Sequence, residues 1–261
     1  MTTSFAQERR AISDTRTIPP VFMTSIRLTK RSILPRMTSP VTFESRTGGG
    51  ATGVIAEPAG DGKAPAVVLI QEWWGLNDHI KSMAERFAKE GFLVLAPDLY
   101  HGKTTTDSNE AARLMTDLDT LKAVDEIAGA VAFLKQHPRS NGKVGVTGFC
   151  LGGALTLASA CHVPGLGAAV SFYGIPPAEK VDYAKVTAPV MMHVGRHDDW
   201  VTPAKAGHVR DEIEKHGKHV DLFIYAANHA FVNDTRPEVY SAENAQVALE
   251  RTFELFHQQL D

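Results

Sequence analysis

One stretch of this 261-residue sequence decides the fold: Val144-Gly145-Val146-Thr147-Gly148-Phe149-Cys150-Leu151-Gly152-Gly153-Ala154. A short apolar segment runs into Gly148-x-Cys150-x-Gly152 and then directly into a helix-forming run, a pattern typical of a strand, a tight turn and a helix. Only small residues fit two positions before and two after the centre of such a turn, and both glycines meet this requirement. The pattern predicts that Cys150 is a nucleophile at the carboxyl end of a strand. A buried structural cysteine at a glycine-rich junction is the alternative.

The predicted helix begins directly after Cys150. The amide N–H of Leu151 and the positive end of the helix dipole therefore lie beside the sulfur, where they favour a thiolate and later an oxyanion. We expect the backbone N–H of Leu151 to form an oxyanion hole together with that of Trp73, which follows another predicted strand.

Composition excludes several classes of protein. The chain is 43% hydrophobic and 22% charged with a formal net charge of −3, which is ordinary for a globular protein and implies no nucleic-acid partner. Two cysteines are too few for a disulfide scaffold and favour a reducing compartment. No apolar run approaches the ~18 residues of a membrane span, and the N-terminus lacks a secretory signal. We expect a cytoplasmic protein without a membrane partner, either a monomer or a weak homodimer.

The first 40 residues differ from the rest. They are rich in Ser, Thr, Arg and Pro, and residues 1–36 hold seven basic and two acidic side chains. Because they show no helical or strand period, we expect 1–40 to be a disordered extension and 41–261 to be one domain. Three explanations of the extension remain open: a translation start at Met37, a transit-like segment or a flexible tail.

Strand-like and helix-like segments alternate after residue 41. Uninterrupted apolar runs such as Ala66–Ile70 are typical of central parallel strands that are covered on both faces. The strands are expected at about 41–44, 52–57, 66–70, 92–96, 144–149, 168–172, 189–195 and 220–225. The helices are expected at about 80–90, 109–117, 120–136, 151–160, 203–216 and 242–259. This order predicts a mostly parallel sheet of about seven or eight strands with helices on both faces.

Side chains that can act as a nucleophile, an acid or a base follow four of these strands: Glu72, Cys150, Asp198 and His229. Ligands of open α/β sheets collect outside the carboxyl ends of the strands, so we expect these residues to meet there. A free thiol has a pKa of ~8.5 and needs a base, which His229 supplies, while a carboxylate orients the imidazole. Asp199 competes for the role of the acid. His197 competes for that of the base, although one turn would then have to supply both groups.

Five motifs together resemble the dienelactone hydrolase (carboxymethylenebutenolidase) family over about residues 41–259. They are Gln71-Glu72-x-x-Gly75, Pro97-Asp98-Leu99-Tyr100, Gly148-Phe149-Cys150-Leu151-Gly152-Gly153, Gly195-x-x-Asp198-x-x-Val201 and His229-Ala230-Phe231. The resemblance implies an α/β-hydrolase fold, a Cys150–Asp198–His229 triad and no metal or organic cofactor. It favours Asp198 over Asp199, because the family pattern places the acid three residues after the glycine. It also implies that Glu72 contacts the resting thiol, shifts when substrate binds and aids deprotonation.

The substrate pocket is expected to have aromatic walls from Trp74, Tyr100 and Phe149, which lie at or beside strand ends. Some family members carry an arginine for a substrate carboxylate where this chain has Asn233. We therefore list Asn233 as a substrate-binding residue and expect neutral substrates to be accepted about as well as anionic ones. Arg236 is either a substitute for that arginine or a structural ion-pair partner.

The sequence thus predicts a cysteine-dependent hydrolase of small lactones or esters. Two alternatives stay open: a promiscuous carboxylesterase or thioesterase with the same triad, and a non-catalytic binding protein of the same fold.

Overall fold

The computed structural model describes residues 38–261. Its eight strands are β1 Thr38–Glu44, β2 Gly50–Ala56, β3 Ala64–Ile70, β4 Leu93–Pro97, β5 Ser140–Phe149, β6 Ala169–Phe172, β7 Val190–Gly195 and β8 Val220–Tyr225. Its six α-helices are α1 Asp78–Lys89, α2 Ser108–Asp117, α3 Thr120–Gln136, α4 Leu151–His162, α5 Pro203–Glu214 and α6 Ala242–Leu260. The alternation expected from the sequence is confirmed.

All eight strands form one sheet in the order β1-β2-β4-β3-β5-β6-β7-β8. The pairs of β1 with β2 and of β2 with β4 are antiparallel, and every other neighbouring pair is parallel. The chain therefore places the carboxyl ends of β3, β5, β6, β7 and β8 along one edge of the sheet. This is the mostly parallel sheet that the α/β-hydrolase resemblance implies.

Helices cover both faces of the sheet because its central strands are apolar on both sides. In β3, Val68 and Ile70 face the core beneath α3 and α4, whereas Val67 and Leu69 face the core beneath α1 and α6. All four side chains are fully buried. Alternate residues of a strand point to opposite faces, so a continuous apolar run requires a covering layer on each side.

Local side chains fix where the helices begin. The Asn77 side chain accepts a hydrogen bond from Ile80 N at 3.1 Å, so α1 starts at Asp78, directly after the turn that follows β3. Thr202 caps α5 in the same way, and Pro203 occupies the first turn, where its missing N–H costs nothing.

Strand β1 begins at Thr38, three residues before the start expected from the sequence. Pro40 lies opposite Val54 in this edge strand, and an edge strand tolerates a residue that lacks an N–H donor. The prediction for residues 1–37 falls outside the described residues. Between residues 38 and 261, none of the helices has both the length and the apolar character that crossing a membrane demands.

Candidate active site

Cys150 lies in the turn between β5 and α4, as predicted. A Cβ atom on Gly152 would lie 2.5 Å from the Ile70 carbonyl oxygen, and one on Gly148 would lie 2.5 Å from the Gly152 carbonyl oxygen. The requirement for glycine at both positions is therefore confirmed. Cys150 itself is half-buried and has φ 54° and ψ −113°, and its backbone N–H donates to the Phe172 carbonyl at 3.0 Å.

Left-handed backbone conformations concentrate around this turn. Four non-glycine residues among residues 38–261 have positive φ: His101 (52°), Cys150 (54°), Tyr173 (40°) and Ala230 (60°). Cys150 and Ala230 line the same cavity, and the Tyr173 ring centroid lies 5.1 Å from that of His229. Such conformations cost about 1–3 kcal/mol each and persist only where the surrounding structure enforces them.

His229 and Asp198 form a hydrogen-bonded pair at the ends of β8 and β7. His229 Nδ1 donates to Asp198 Oδ2 at 2.7 Å. The other carboxylate oxygen, Oδ1, accepts the backbone N–H groups of Trp200 at 2.9 Å and Val201 at 2.8 Å. Because the Asp198 side chain is fully buried and both its oxygens are occupied, it is fixed in place. Asp199 is exposed and His197 is exposed, so the structure brings neither rival into this pair.

The opposite nitrogen of His229, Nε2, is buried and has no hydrogen-bond partner among the described residues. Burial alone would lower the pKa of His229, but the hydrogen bond to Asp198 and the neighbouring Cys150 sulfur outweigh it and raise the pKa to about 10. The bond to Asp198 thus makes His229 a stronger base than a free imidazole, which suits removal of a proton from Cys150.

Glu72 lies just beyond β3 and is 1% exposed. Its Oε2 accepts a hydrogen bond from Asn233 Nδ2 at 2.6 Å. Burial raises the pKa of Glu72, while the charges of His79, His229 and Arg236 and the bond from Asn233 oppose the increase. The carboxyl group thus stays protonated to a higher pH than an exposed glutamate does.

Cys150, His229 and Glu72 meet in a cavity of about 230 Å³. Its other lining residues are Trp73, Trp74, Trp200, Ala230, Arg236 and Val239. The Trp73 and Trp200 rings meet edge to face at 5.4 Å, and the Trp200 ring lies 5.6 Å from His229. Sequence reasoning missed Trp200, although it stands two residues after Asp198 at a strand end, which was a usable signal.

The two proposed oxyanion donors are placed near the nucleophile. Leu151 is the first residue of α4, and N–H groups in a first helical turn have no partner within the helix. Trp73 lines the cavity together with Cys150.

The four residues predicted to bind substrate lie in different positions relative to the cavity. Trp74 lines the cavity. Tyr100 is 5% exposed, and burial together with the charge of Cys150 raises the pKa of its phenol. The prediction for Phe149 is wrong, because its fully buried ring packs at 4.7 Å on Phe172 within the core. As the last residue of β5, Phe149 points into the layer covered by α1 and α6.

The prediction for Asn233 also needs correction. Its side chain is 1% exposed, and both ends of its amide are hydrogen-bonded within the protein. Nδ2 donates to Glu72, and Oδ1 accepts from the Thr235 hydroxyl at 2.6 Å. It therefore holds Glu72 and does not face the catalytic cavity, although it contributes to the wall of a neighbouring cavity. Arg236 lies on the walls of both cavities, 5.5 Å above the Trp74 ring, and pairs with Glu238 at 2.7 Å. Arg236 thus has the ion-pair partner that the sequence allowed for, and its contact with a substrate carboxylate stays a prediction.

No group of three or more His, Cys, Asp or Glu side chains arranged to hold a metal ion occurs within residues 38–261.

Comparisons with known proteins agree with this geometry. The chain matches the Dienelactone hydrolase family over residues 51–260. It is 38% identical to Protein usf of Aquifex pyrophilus over 84% of this chain and 98% of that protein. It is 31% identical to Carboxymethylenebutenolidase 1 of Cupriavidus pinatubonensis over 82% of this chain and 94% of that protein.

A similar fold occurs in the crystal structure of a dienelactone hydrolase-like promiscuous phosphotriesterase from metagenomic libraries. It superposes with a TM-score of 0.75 at 24% identity and covers 86% of this chain and all of that chain. The sheet order, the strand-to-helix turn at Cys150 and the match over residues 51–260 agree, and the chain belongs to the dienelactone hydrolase family.

Proposed function

We propose that this protein hydrolyses small lactones and esters through a thioester on Cys150. Membership of the dienelactone hydrolase family makes it a carboxylic ester hydrolase. The observation that supports the cysteine mechanism is the Asp198–His229 pair: His229 lines the cavity together with Cys150, and its Nε2 is buried without a partner among the described residues. A nucleophile, its base and an orienting acid on successive elements are the parts that acyl transfer requires.

The first step is attack by the thiolate. His229, whose pKa is raised to about 10, takes the proton of the Cys150 thiol at Nε2 and so supplies the thiolate. The sulfur lone pair forms a bond to the carbonyl carbon, and the electrons of the C=O bond move to oxygen. The N–H groups of Leu151 and Trp73 donate to this oxyanion.

The second step breaks the ester bond. The tetrahedral intermediate collapses, and the departing alkoxide takes the proton from His229 Nε2. In a lactone the alcohol stays attached to the acyl chain, so ring opening leaves one molecule on the enzyme. Water then loses a proton to His229 and attacks the thioester, and the carboxylic acid departs as the thiolate and the imidazolium are restored.

The cavity indicates the size of the substrate. Its volume of about 230 Å³ is smaller than the ~300–1,000 Å³ of sites for drug-sized molecules. Three tryptophans that line the cavity with Cys150 exclude bulky acyl groups, which favours small lactones and esters over long-chain thioesters. The cysteine nucleophile also requires a reducing compartment, and we infer the cytoplasm.

The test is spectrophotometric hydrolysis of a dienelactone and of p-nitrophenyl acetate, with Cys150→Ala and Cys161→Ala compared. Cys161 is the other cysteine, is buried in α4 and lies outside the cavity, so it serves as a matched control. We expect Cys150→Ala to lose activity and Cys161→Ala to retain it. Peptide mass analysis after a slow ester should place the acyl group on Cys150. An adduct on Cys161, or an active Cys150→Ala variant, contradicts the mechanism.

A further inference from the structure

A second cavity, here called the side cavity, shares a wall with the catalytic cavity. Trp74 and Arg236 line both, and the Arg236 guanidinium carbon lies 5.5 Å from the centroid of the Trp74 ring. The side cavity measures about 350 Å³, which is larger than the catalytic cavity and within the ~300–1,000 Å³ of small-molecule sites. Its other lining residues are Asn77, Thr105, Thr106, Asn233, Thr235 and Glu238. An ester held at Cys150 thus has a second cavity across Trp74 and Arg236 for its larger substituent.

The side cavity offers hydrogen-bond donors that the fold leaves uncommitted. Asn77 uses its Oδ1 to cap α1, so its Nδ2 remains a donor. Thr105 Oγ1 accepts a backbone N–H of its own loop at 3.0 Å, so its hydroxyl hydrogen is also available. Arg236 directs Nε and Nη2 at Glu238, at 2.8 and 2.7 Å, which leaves Nη1 to donate to a ligand.

Acceptors stand in the same lining. Thr235 donates its hydroxyl hydrogen to Asn233 Oδ1 at 2.6 Å, so the Thr235 oxygen can accept a bond. The Glu238 carboxylate places a negative charge beside the positive charge of Arg236. A carboxylate ligand only accepts hydrogen bonds and would meet this negative charge, whereas a hydroxyl group both donates and accepts. The lining therefore favours a neutral group with several hydroxyls over an anion.

The Trp74 ring adds an apolar surface to this polar lining. Its position is tied to the side cavity, because the Thr105 backbone N–H donates to the Trp74 carbonyl at 3.2 Å and so joins the loop before α2 to the loop after β3. A sugar ring presents C–H groups on its faces and hydroxyls at its edge. An aromatic wall among hydrogen-bonding side chains matches both parts of such a ring.

We propose that the side cavity binds the sugar part of an acylated sugar whose small acyl group, such as acetyl, lies in the catalytic cavity. This substrate class rests on the proposed function, because it uses the same thioester chemistry. The Cys150 sulfur forms a bond to the acetyl carbon, the bond from that carbon to the sugar oxygen breaks, and this oxygen takes the proton from His229 Nε2. Water then hydrolyses the thioester and releases acetate.

The kinetic test compares two alcohols that carry one acyl group. Acetic acid release from 6-O-acetyl-D-glucose and from ethyl acetate is followed in a pH-stat. A hydrogen bond between neutral groups contributes about two- to tenfold in affinity, so two or more should raise kcat/KM for the sugar ester about tenfold above that for ethyl acetate. Thr106→Trp, at an exposed position of the lining, fills the side cavity and should remove this preference. Thr116→Trp, on the exposed face of α2, is the matched control that keeps it.

A binding measurement keeps the test independent of turnover. Saturation-transfer NMR of methyl β-D-glucopyranoside with Cys150→Ala should show contact between the protein and the sugar. Adding Thr106→Trp to Cys150→Ala should abolish the signal, and adding Thr116→Trp should leave it. Thermal midpoints identify any variant that has lost its fold, and Thr106→Leu, a smaller change at the same position, should weaken the sugar preference in part.

Equal kcat/KM values for the sugar ester and ethyl acetate in the wild type overturn the proposal, as does a preference that Thr106→Trp leaves unchanged. A preference for the anionic ester acetoxyacetate over the sugar ester also overturns it, because the side cavity would then bind a carboxylate. An active Cys150→Ala variant would defeat the thioester mechanism alone, since binding of the glucoside would still support the side cavity as a sugar site.

Discussion

Replacing Asp198 with Asn tests the catalytic pair most directly. The substituted side chain keeps a carbonyl oxygen for the backbone N–H groups of Trp200 and Val201, which the aspartate accepts at 2.9 and 2.8 Å. Its NH₂ group then faces His229 Nδ1, where the carboxylate oxygen accepts at 2.7 Å. Two donors cannot share that contact, so the imidazole takes the tautomer with its proton on Nε2 and can no longer accept a proton there.

The magnitude follows from the bond that is lost. A hydrogen bond to a charged group contributes about 1.5–3 kcal/mol, and each 1.36 kcal/mol is tenfold in rate, which gives about 10- to 150-fold. The tautomer change adds to this, so we expect kcat to fall by about 10²–10⁴-fold. The pKa of His229, raised to about 10, should also move down. Stopped-flow hydrolysis of p-nitrophenyl acetate and a pH titration of the imidazole by NMR measure both effects.

Asp199→Asn is the matched control, since Asp199 is the exposed neighbour. A fall of less than tenfold in Asp198→Asn, with an unchanged His229 titration, would refute the assignment. An equal loss in the control would show that the loop, rather than the hydrogen bond, determines the rate.

Three further results are expected. Gly152→Ala places a Cβ 2.5 Å from the Ile70 carbonyl oxygen, and overpacking of this kind costs about 1–3 kcal/mol, so the thermal midpoint should fall by about 2–10 °C. Gly207→Ala is the control: its Cβ meets open space within α5, where alanine favours the helix, so the midpoint should stay the same or rise. Arg236→Gln should lower kcat/KM for a carboxylate-bearing dienelactone relative to a neutral lactone by up to about fivefold. A partly exposed arginine that is already paired with Glu238 contributes about 1 kcal/mol or less to such a contact. An unchanged ratio of the two kcat/KM values would exclude Arg236 from substrate binding. The His229 pKa is raised from 6.5 to about 10, so the contribution of His229 to stability is complete below pH 6.5 and is lost as the pH rises to 10. The thermal midpoint should therefore decline less between pH 6.5 and pH 10 in His229→Gln than in the wild type. An equal decline in both would contradict the ion pair between His229 and Asp198.

The sequence predicted the elements that repeat a pattern. Apolar runs identify β3 and β5 because both faces of those strands are buried, and the glycines at 148 and 152 identify the turn because no Cβ fits there. Strand ends then predicted the positions of Asp198 and His229, which the structure joins by a hydrogen bond.

What a pattern does not encode is the direction and partner of a single side chain. Phe149 is predicted to line the pocket because it lies at a strand end, yet adjacent residues at a strand end face different layers. Asn233 is predicted to contact substrate because it stands where some family members carry an arginine. In the structure its buried amide bonds instead to the carboxylate of Glu72, which lies 161 residues away in sequence. His79 belongs to no motif, and only the fold brings it to Asp234, which lies 155 residues away in sequence.

The positive φ of Cys150 lowers the stability of the folded chain at the residue that activity requires. Glycine adopts φ of 54° without the penalty of about 1–3 kcal/mol that other residues incur, so the substitution that abolishes the nucleophile also relaxes the chain. Ala230, the neighbour of His229, also has a positive φ of 60°, and glycine there would relax the chain without removing a reacting group. A selection for heat resistance alone would therefore enrich glycine at the positions where the chemistry takes place. Directed evolution of this scaffold has to score turnover in every round, because a substitution that relaxes the backbone at Cys150 also removes the nucleophile.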